Sequence, residues 1–273
     1  MNAKLFSAAA VAATLVLLPL QGRAQTTFTD NANNPAYANG YITGSGANTP
    51  GFTPFTVVAN GSAGTFVFTA GESEGNNGTP KPSSIDTNGK SFGLYAQNAG
   101  ASTTITRGFN APPEASGLAT AGDMFSLDFV KGYNDAGTSG VALTDAGGTV
   151  GSFVFQSGGT GILFNGAPTG IGFNAGADHL VYTLTSPTAY SLMVTGADTF
   201  TGAGTFTSPI NGFQVQQTDS GATTPDHNAY FNNLSVTANS PSAAPEPSQM
   251  GALVIMGLGL GGLLLRRRMS AAR

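Results

Sequence analysis

The fold is decided by HLVYTLTSPTAYSLMVTG, His179 to Gly196. Successive side chains of a strand point to opposite sides, so Leu180, Tyr182 and Leu184 fall on one face of an extended segment. Ser186-Pro187-Thr188 supplies turn residues, and Tyr190, Leu192 and Val194 resume the alternation. Two period-2 runs about a short turn predict a β-hairpin. MFSLDFV, Met124 to Val130, repeats the pattern with Phe125, Leu127 and Phe129 on one side and Ser126 and Asp128 on the other.

Outward from this hairpin the same signature recurs. It is present in FTVVA (55–59), TFVFTA (65–70), SFGLYAQ (91–97) and STTITRGF (102–109). It returns in VGSFVFQ (150–156), GILFNG (161–166), TGIGFN (169–174), GFQVQQ (212–217) and AYFNNLSVTA (229–238). Roughly a dozen short strands with one polar face predict antiparallel sheets with a solvated side, and hence an all-β sandwich or jelly roll. No fixed-period repeat is present, which argues against a propeller or β-helix.

Composition agrees. Of 273 residues 39 are Gly and 18 Phe, while only 9% are charged and Trp and Cys are absent. Gly and β-branched residues favour turns and strands over long helices. Without cysteine there are no disulfides, thiolate catalysis or Cys-ligated metals. Six of the ten basic residues lie at the ends: Lys4, Arg23, Arg266, Arg267, Arg268 and Arg273. Between Gln25 and Ala244, four basic residues stand against thirteen acidic ones, a net charge of −9. An acidic body with no basic stripe excludes nucleic acid as the expected partner.

The ends read as addresses. Lys4, the apolar run Leu5 to Leu20, and small residues Gly22 and Ala24 predict a secretory signal peptide over 1–24, cleaved between Ala24 and Gln25 by signal peptidase. The β-rich body then spans 25–238, and 239–244 is a Pro/Ser/Ala linker. Beyond it, Met250 to Leu265 is a 16-residue Gly-rich apolar run. As a helix rising about 1.5 Å per residue it falls short of a ~30 Å hydrocarbon core. Arg266, Arg267 and Arg268 would hold its end in the cytoplasm, leaving the body outside.

Pro245-Glu246-Pro247, the Gly-rich apolar helix and the Arg266–Arg268 cluster in that order resemble a PEP-CTERM sorting signal. The resemblance covers under a tenth of the chain. It implies an exported protein of a Gram-negative bacterium, processed by an exosortase and destined for the cell surface, exopolysaccharide or biofilm. Membrane contact through the short helix would be transient. Physically, Pro245 and Pro247 keep Glu246 extended, as a processing cleft requires. The body is similar to concanavalin A-like jelly rolls. Its last strand resembles the Phe-Asp-Asn-Leu strand of many PEP-CTERM ectodomains, with Asn232 and Asn233 standing where an Asp would be expected.

Catalytic signals are sparse. His179 and His227 are the two histidines, neither at metal-ligand spacing. The body's glutamates, Glu72, Glu74 and Glu114, lie in turn-like segments, and Asp128 sits on a polar strand face. No metal is expected as a requirement. Calcium is the candidate cofactor, with Asn134-Asp135, Asp145 and the loop Asp219 to Asp226 as oxygen donors, although none matches an EF-hand loop. Tyr37, Tyr41, Tyr95 and Tyr133 are candidates for stacking on sugar rings, or for packing at a rim. The expectation is a non-enzymatic surface or matrix protein, structural or adhesive in exopolysaccharide. The alternatives are a carbohydrate-binding lectin-like module and, less favoured, a glycan-active enzyme.

Overall fold

The computed structural model describes residues 25–70, 84–111, 117–157, 161–172, 176–221 and 225–239. Both the leader (1–24, including Ala24) and the sorting segment with Pro245, Glu246, Pro247 and Arg266–Arg268 lie outside the described residues, as do Glu72, Glu74 and Glu114. Among the described residues no helix is long and apolar enough to cross a membrane.

In chain order the strands are β1 (Gln25–Asp30), β2 (Gly51–Phe52), β3 (Thr56–Asn60), β4 (Ala63–Thr69), β5 (Lys90–Ala96), β6 (Ser102–Asn110), β7 (Met124–Val130) and β8 (Thr138–Asp145). They continue with β9 (Gly148–Gln156), β10 (Gly161–Phe164), β11 (Ala167–Pro168), β12 (Ala177–Ser186), β13 (Ala189–Gly196), β14 (Phe200–Thr205), β15 (Gly212–Thr218) and β16 (Ala229–Asn239). Two antiparallel eight-stranded sheets result. The first runs β14-β13-β12-β7-β16-β5-β4, with β1 also on β16; the second runs β11-β10-β9-β8-β15-β6-β2, with β3 also on β6.

The predicted hairpin is β12–β13. Leu180 faces Val194, Tyr182 faces Leu192 and Leu184 faces Tyr190, and Ser186 pairs with Ala189 across Pro187-Thr188. All six apolar side chains are buried. They join the inward residues of β7 and meet Phe213 and Val215 from the second sheet in one core. Rings cross the interface: the Phe125 and Phe213 centroids are 4.7 Å apart, and those of Phe109 and Phe125 5.0 Å. Each Phe buries a large apolar surface at the cost of only two side-chain torsions.

Several readings need correction. TGIGFN forms no strand over its described residues 169–172. The chain there turns back, with Thr169 and Ile171 bonding Ile162 of β10. Strands β1 and β14 carry no apolar alternation and were not expected. Asn239, read as the first linker residue, pairs with Gln25 as the last residue of β16, and its amide is fixed by the Asp123 carboxylate.

Two of the body's four basic residues are fully buried in ion pairs. Arg107 of β6 donates from Nη1 to Asp30 Oδ2 of β1 at 2.6 Å and from Nε to Thr53 O at 2.8 Å. Tyr37 Oη donates to the same carboxylate oxygen. The guanidinium lies 4.7 Å from the Phe52 ring centroid and 4.4 Å from that of Phe55. Lys131 Nζ sits between Asp178 (2.6 Å) and Asp198 (2.7 Å). Burial pushes the Asp178 carboxyl up, against the opposing pull of Lys131.

Breaking a buried pair strands one charge, whereas removing both partners does not. Asp30→Ala should therefore cost about 3–5 kcal/mol in urea denaturation. The Asp30→Ala/Arg107→Met double variant should cost measurably less; an equal or larger loss would show that the pair itself, rather than the stranded charge, carries the stability.

Burial also raises the phenols of Tyr37, Tyr41, Tyr182 and Tyr190 above the usual tyrosine value. A group whose folded pKa exceeds its unfolded one stabilises fully below the unfolded pKa and loses that contribution as pH rises. The thermal midpoint should hold up to about pH 10 and fall above it, with these four phenols ionising together with unfolding when followed residue by residue by NMR of ring-labelled tyrosine. Ionisation of any of the four in the folded state near pH 10 would refute the assignment.

Candidate functional site

Polar side chains converge on the outer face of the second sheet. In β15, Phe213, Val215 and Gln217 are buried, so Gln214, Gln216 and Thr218 point outward. Register carries the alternation across the sheet. Thr56, Thr106, Gln214 and Ala142 form one row; Val58, Thr104, Gln216, Gly140 and Val154 form the next. A third row reads Gly108, Gly212, Thr144 and Thr149. Gly212 is obligatory, because a Cβ there would stand 2.3 Å from the Arg107 carbonyl oxygen. Gly108, beside Gly212 in this row, lies in the floor of an open cleft of about 390 Å³, whose lining also includes Thr53, Pro54, Asp145 and Asn211.

The cleft offers hydroxyls and amides. Thr144 Oγ1 donates to Asn211 Oδ1 at 2.8 Å, and Gln214 Nε2 donates to Gln216 Oε1 at 2.9 Å. These bonds pre-orient the amide groups. The Thr56, Thr106 and Thr149 hydroxyls make no bond within the described residues and remain available. Asp145 is the single carboxylate on the rim among the described residues, and its Oδ1 accepts the Gly147 N–H at 2.7 Å. Glycoside cleavage uses two facing carboxyl groups. This donor set instead suits hydrogen bonding to a neutral polyhydroxyl chain.

A second polar group lies on the outer face of the first sheet. His179 Nδ1–H donates to Asp128 Oδ1 at 2.7 Å, and Asp128 Oδ2 accepts Asn233 Nδ2 at 2.7 Å. Thr87 Oγ1 donates to Asn233 Oδ1 at 2.6 Å. Asn233 adopts φ 51° where the β16–β7 register shifts. Among the described residues no hydroxyl bonds His179, so the pair lacks the nucleophile of a triad. Asn232 is buried: its Oδ1 accepts the Ala32 N–H, and its Nδ2 donates to the carbonyls of Ile85 and Lys90.

The remaining candidates separate by burial. Tyr37 and Tyr41, considered for sugar stacking, are core residues, packed edge-on against Phe92 at 4.9 Å. Tyr95 is half-buried over Gly64. Tyr133 is 37% exposed and edge-on to His227 at 5.5 Å. His227 is buried between Asp226 (3.3 Å) and Asp135 (3.4 Å). Of the calcium candidates, the 134–135 and 219–226 segments do meet, through Asp135 N–H to Ser220 O and Tyr133 N–H to Asp226 O. Asp145 belongs to the cleft. Among the described residues no three His, Asp or Glu side chains are placed to hold a metal ion. The cleft itself was missed, since its residues come from five separated segments and share no motif.

No family model and no curated protein matches the chain. Solved structures similar to it include a protein of unknown function from Shewanella oneidensis MR-1, with 12% identity and TM-score 0.45, covering 90% of this chain and 98% of that one. A carbohydrate esterase of the Shiga toxin-encoding bacteriophage phi24B is 16% identical at TM-score 0.44, covering 80% and 100%. The CBM2 module of an evolved Dit from Lactobacillus casei BL23 phage J-1 is 13% identical at TM-score 0.41, also covering 80% and 100%. Scores at this level transfer neither activity nor ligand.

The Asn233 bulge can be dissected. Asn233→Ala loses both the side-chain bonds and the tolerance of a left-handed backbone, and should cost about 2–3 kcal/mol. Asn233→Gly keeps the backbone freedom and should cost about 1 kcal/mol less. Equal losses in chemical denaturation would remove backbone conformation as a factor.

Proposed function

We propose that this chain is an exported, non-catalytic surface protein that adheres to polysaccharide through the Thr/Gln/Asn cleft of its second sheet. In this reading the leader is removed, and the PEP-CTERM-like segment delivers the body to the surface through an exosortase. The two-sheet body is a jelly roll of the concanavalin A-like type. The observation that carries the binding assignment is the open cleft with Gly108 in its floor and with hydrogen-bonding threonine, glutamine and asparagine side chains around it. Recognition is directed at sugar hydroxyls rather than ring faces, because among the described residues no aromatic side chain lines the cleft. Each contact is worth little alone, and adhesion grows by repeated engagement along a polymer.

Affinity electrophoresis of the protein through gels containing neutral polysaccharides or bacterial exopolysaccharide, with calcium and with chelator, tests the reading. Retardation is expected, and Gln214→Ala and Thr106→Ala should each weaken it about two- to tenfold without lowering the thermal midpoint. No retardation by any polysaccharide, or retardation indifferent to both substitutions, would sink the cleft assignment. The delivery step is read separately, from the intact mass of the mature protein: a mass retaining residues 1–24 or 245–273 would overturn it.

A further inference from the structure

Strand β14 ends the first sheet, and among the described residues nothing pairs with its outer side. Exposed edges invite pairing with another chain unless a charge, a proline or a covering segment blocks them. The second sheet blocks its own ends. β11 is two residues long and contains Pro168. β3 is covered by Thr43, whose Oγ1 accepts the Val57 N–H at 2.9 Å and donates to the Val57 carbonyl at 3.2 Å. β14 has none of these devices, and no charged residue occurs from Thr199 to Thr218.

The sequence of this edge is TFTGAGTFT, Thr199 to Thr207, which reads identically in both directions about Ala203. Its backbone polarity follows from one bond. The Phe206 N–H donates to Thr188 O at 3.0 Å, so Phe206 faces β13. Backbone groups alternate sides along a strand, so Phe200, Gly202 and Gly204 also face β13, whereas Thr201, Ala203 and Thr205 direct their N–H and C=O outward. Their side chains are exposed. Gly202 and Gly204 lie close under the Phe164 and Tyr190 rings, where a Cβ would come within 2.6 Å and 2.3 Å of ring or hydroxyl atoms.

We propose that β14 is a self-recognition edge, pairing antiparallel with β14 of a second copy of this chain about a two-fold axis through Ala203. A second copy presents the same palindrome, so like residues face each other along the whole seam. Ala203 then faces Ala203 of the other copy, and Thr201 faces Thr205 in both directions. Each facing pair exchanges two hydrogen bonds, about six in all. The first sheets of the two copies become one continuous sheet. The contact is isologous and therefore closes as a dimer. The seam is smaller than a standard protein interface, so it operates where chains are concentrated, as on a surface.

The natural chain has no cysteine, so site-directed cross-linking of the full-length exported protein has no background. Under mild oxidation Ala203→Cys should form a disulfide-linked dimer, because facing Cα atoms stand about 5.5 Å apart. Thr201→Cys alone should not, since its two copies are offset by four residues, about 13 Å. A mixture of Thr201→Cys and Thr205→Cys chains should cross-link again. Val58→Cys, also exposed but on the other sheet, is the control. At least about tenfold more dimer is expected for Ala203→Cys than for Thr201→Cys or Val58→Cys, following the distance limits of a disulfide. Ala203→Pro removes an outward N–H and leaves the β13 ladder intact, so it should abolish cross-linking in the Thr201→Cys/Thr205→Cys mixture while the thermal midpoint is kept. Equal dimer from all single-cysteine chains, no dimer from Ala203→Cys, or a mixture indifferent to Ala203→Pro would each overturn the proposal.

Discussion

The contact between Arg107 and Asp30 ties the two sheets together where apolar packing alone is non-directional. Asp30 ends a strand of the first sheet and Arg107 lies within the second. The guanidinium has no exposed side-chain surface, so the partners of its bonded Nη1 and Nε are specified closely, while Nη2 is buried without a hydrogen-bond partner among the described residues. Asp30 accepts from Arg107, Tyr37, Asn34 and its neighbour's N–H, and the Phe52 and Phe55 rings lie near the cation. The irregular segment from Asn31 to Phe55 is thereby pinned beneath the sandwich end. The same segment supplies Thr43 to cover β3 and Thr53 to rim the cleft. Disturbing the ion pair would thus reach the cleft through the backbone, because Arg107 Nε holds the Thr53 carbonyl.

Aromatic residues and hydroxyls are sorted cleanly. The large core rings lie inside, packed across the two sheets, and the outer rows of the second sheet hold threonine, glutamine and glycine with a few small aliphatic residues such as Val58, Ala142 and Val154. Antiparallel sandwiches sort residues in this way because one face of each strand must be dry. Here the sorting also fixes what the outer face can do. It can exchange hydrogen bonds over a broad area, but among the described residues no ring lines its cleft for a sugar to stack on.

Legibility in the sequence followed the strength of local pattern. The hairpin from His179 to Gly196 was fully readable because three alternating apolar residues flank a proline turn on each side. β14 was invisible, since its inner positions are Gly202 and Gly204, which make room for rings rather than supplying apolar side chains. TGIGFN alternates as a strand would, but backbone bonds to Ile162 turn it into a loop. The burial of Tyr37, Tyr41 and His227 was not readable, because none of them lies in an alternating apolar run and distant segments help to enclose each. Asp30 and Arg107 are 77 residues apart, and nothing near either announces the other. The cleft likewise has no linear signature: its shape comes from register, which places Gly108 opposite Gly212.

The pairing of Gln25 with Asn239 has a mechanical meaning. The described body begins and ends at adjacent positions of one ladder, so both connections leave from a single corner. The outgoing one belongs to β16, an eleven-residue strand bonded to β7 on one side and to β5 and β1 on the other. A load applied through the residues after Asn239 enters the sheet along its most heavily paired strand. It must shear several hydrogen bonds together rather than peel an edge one bond at a time.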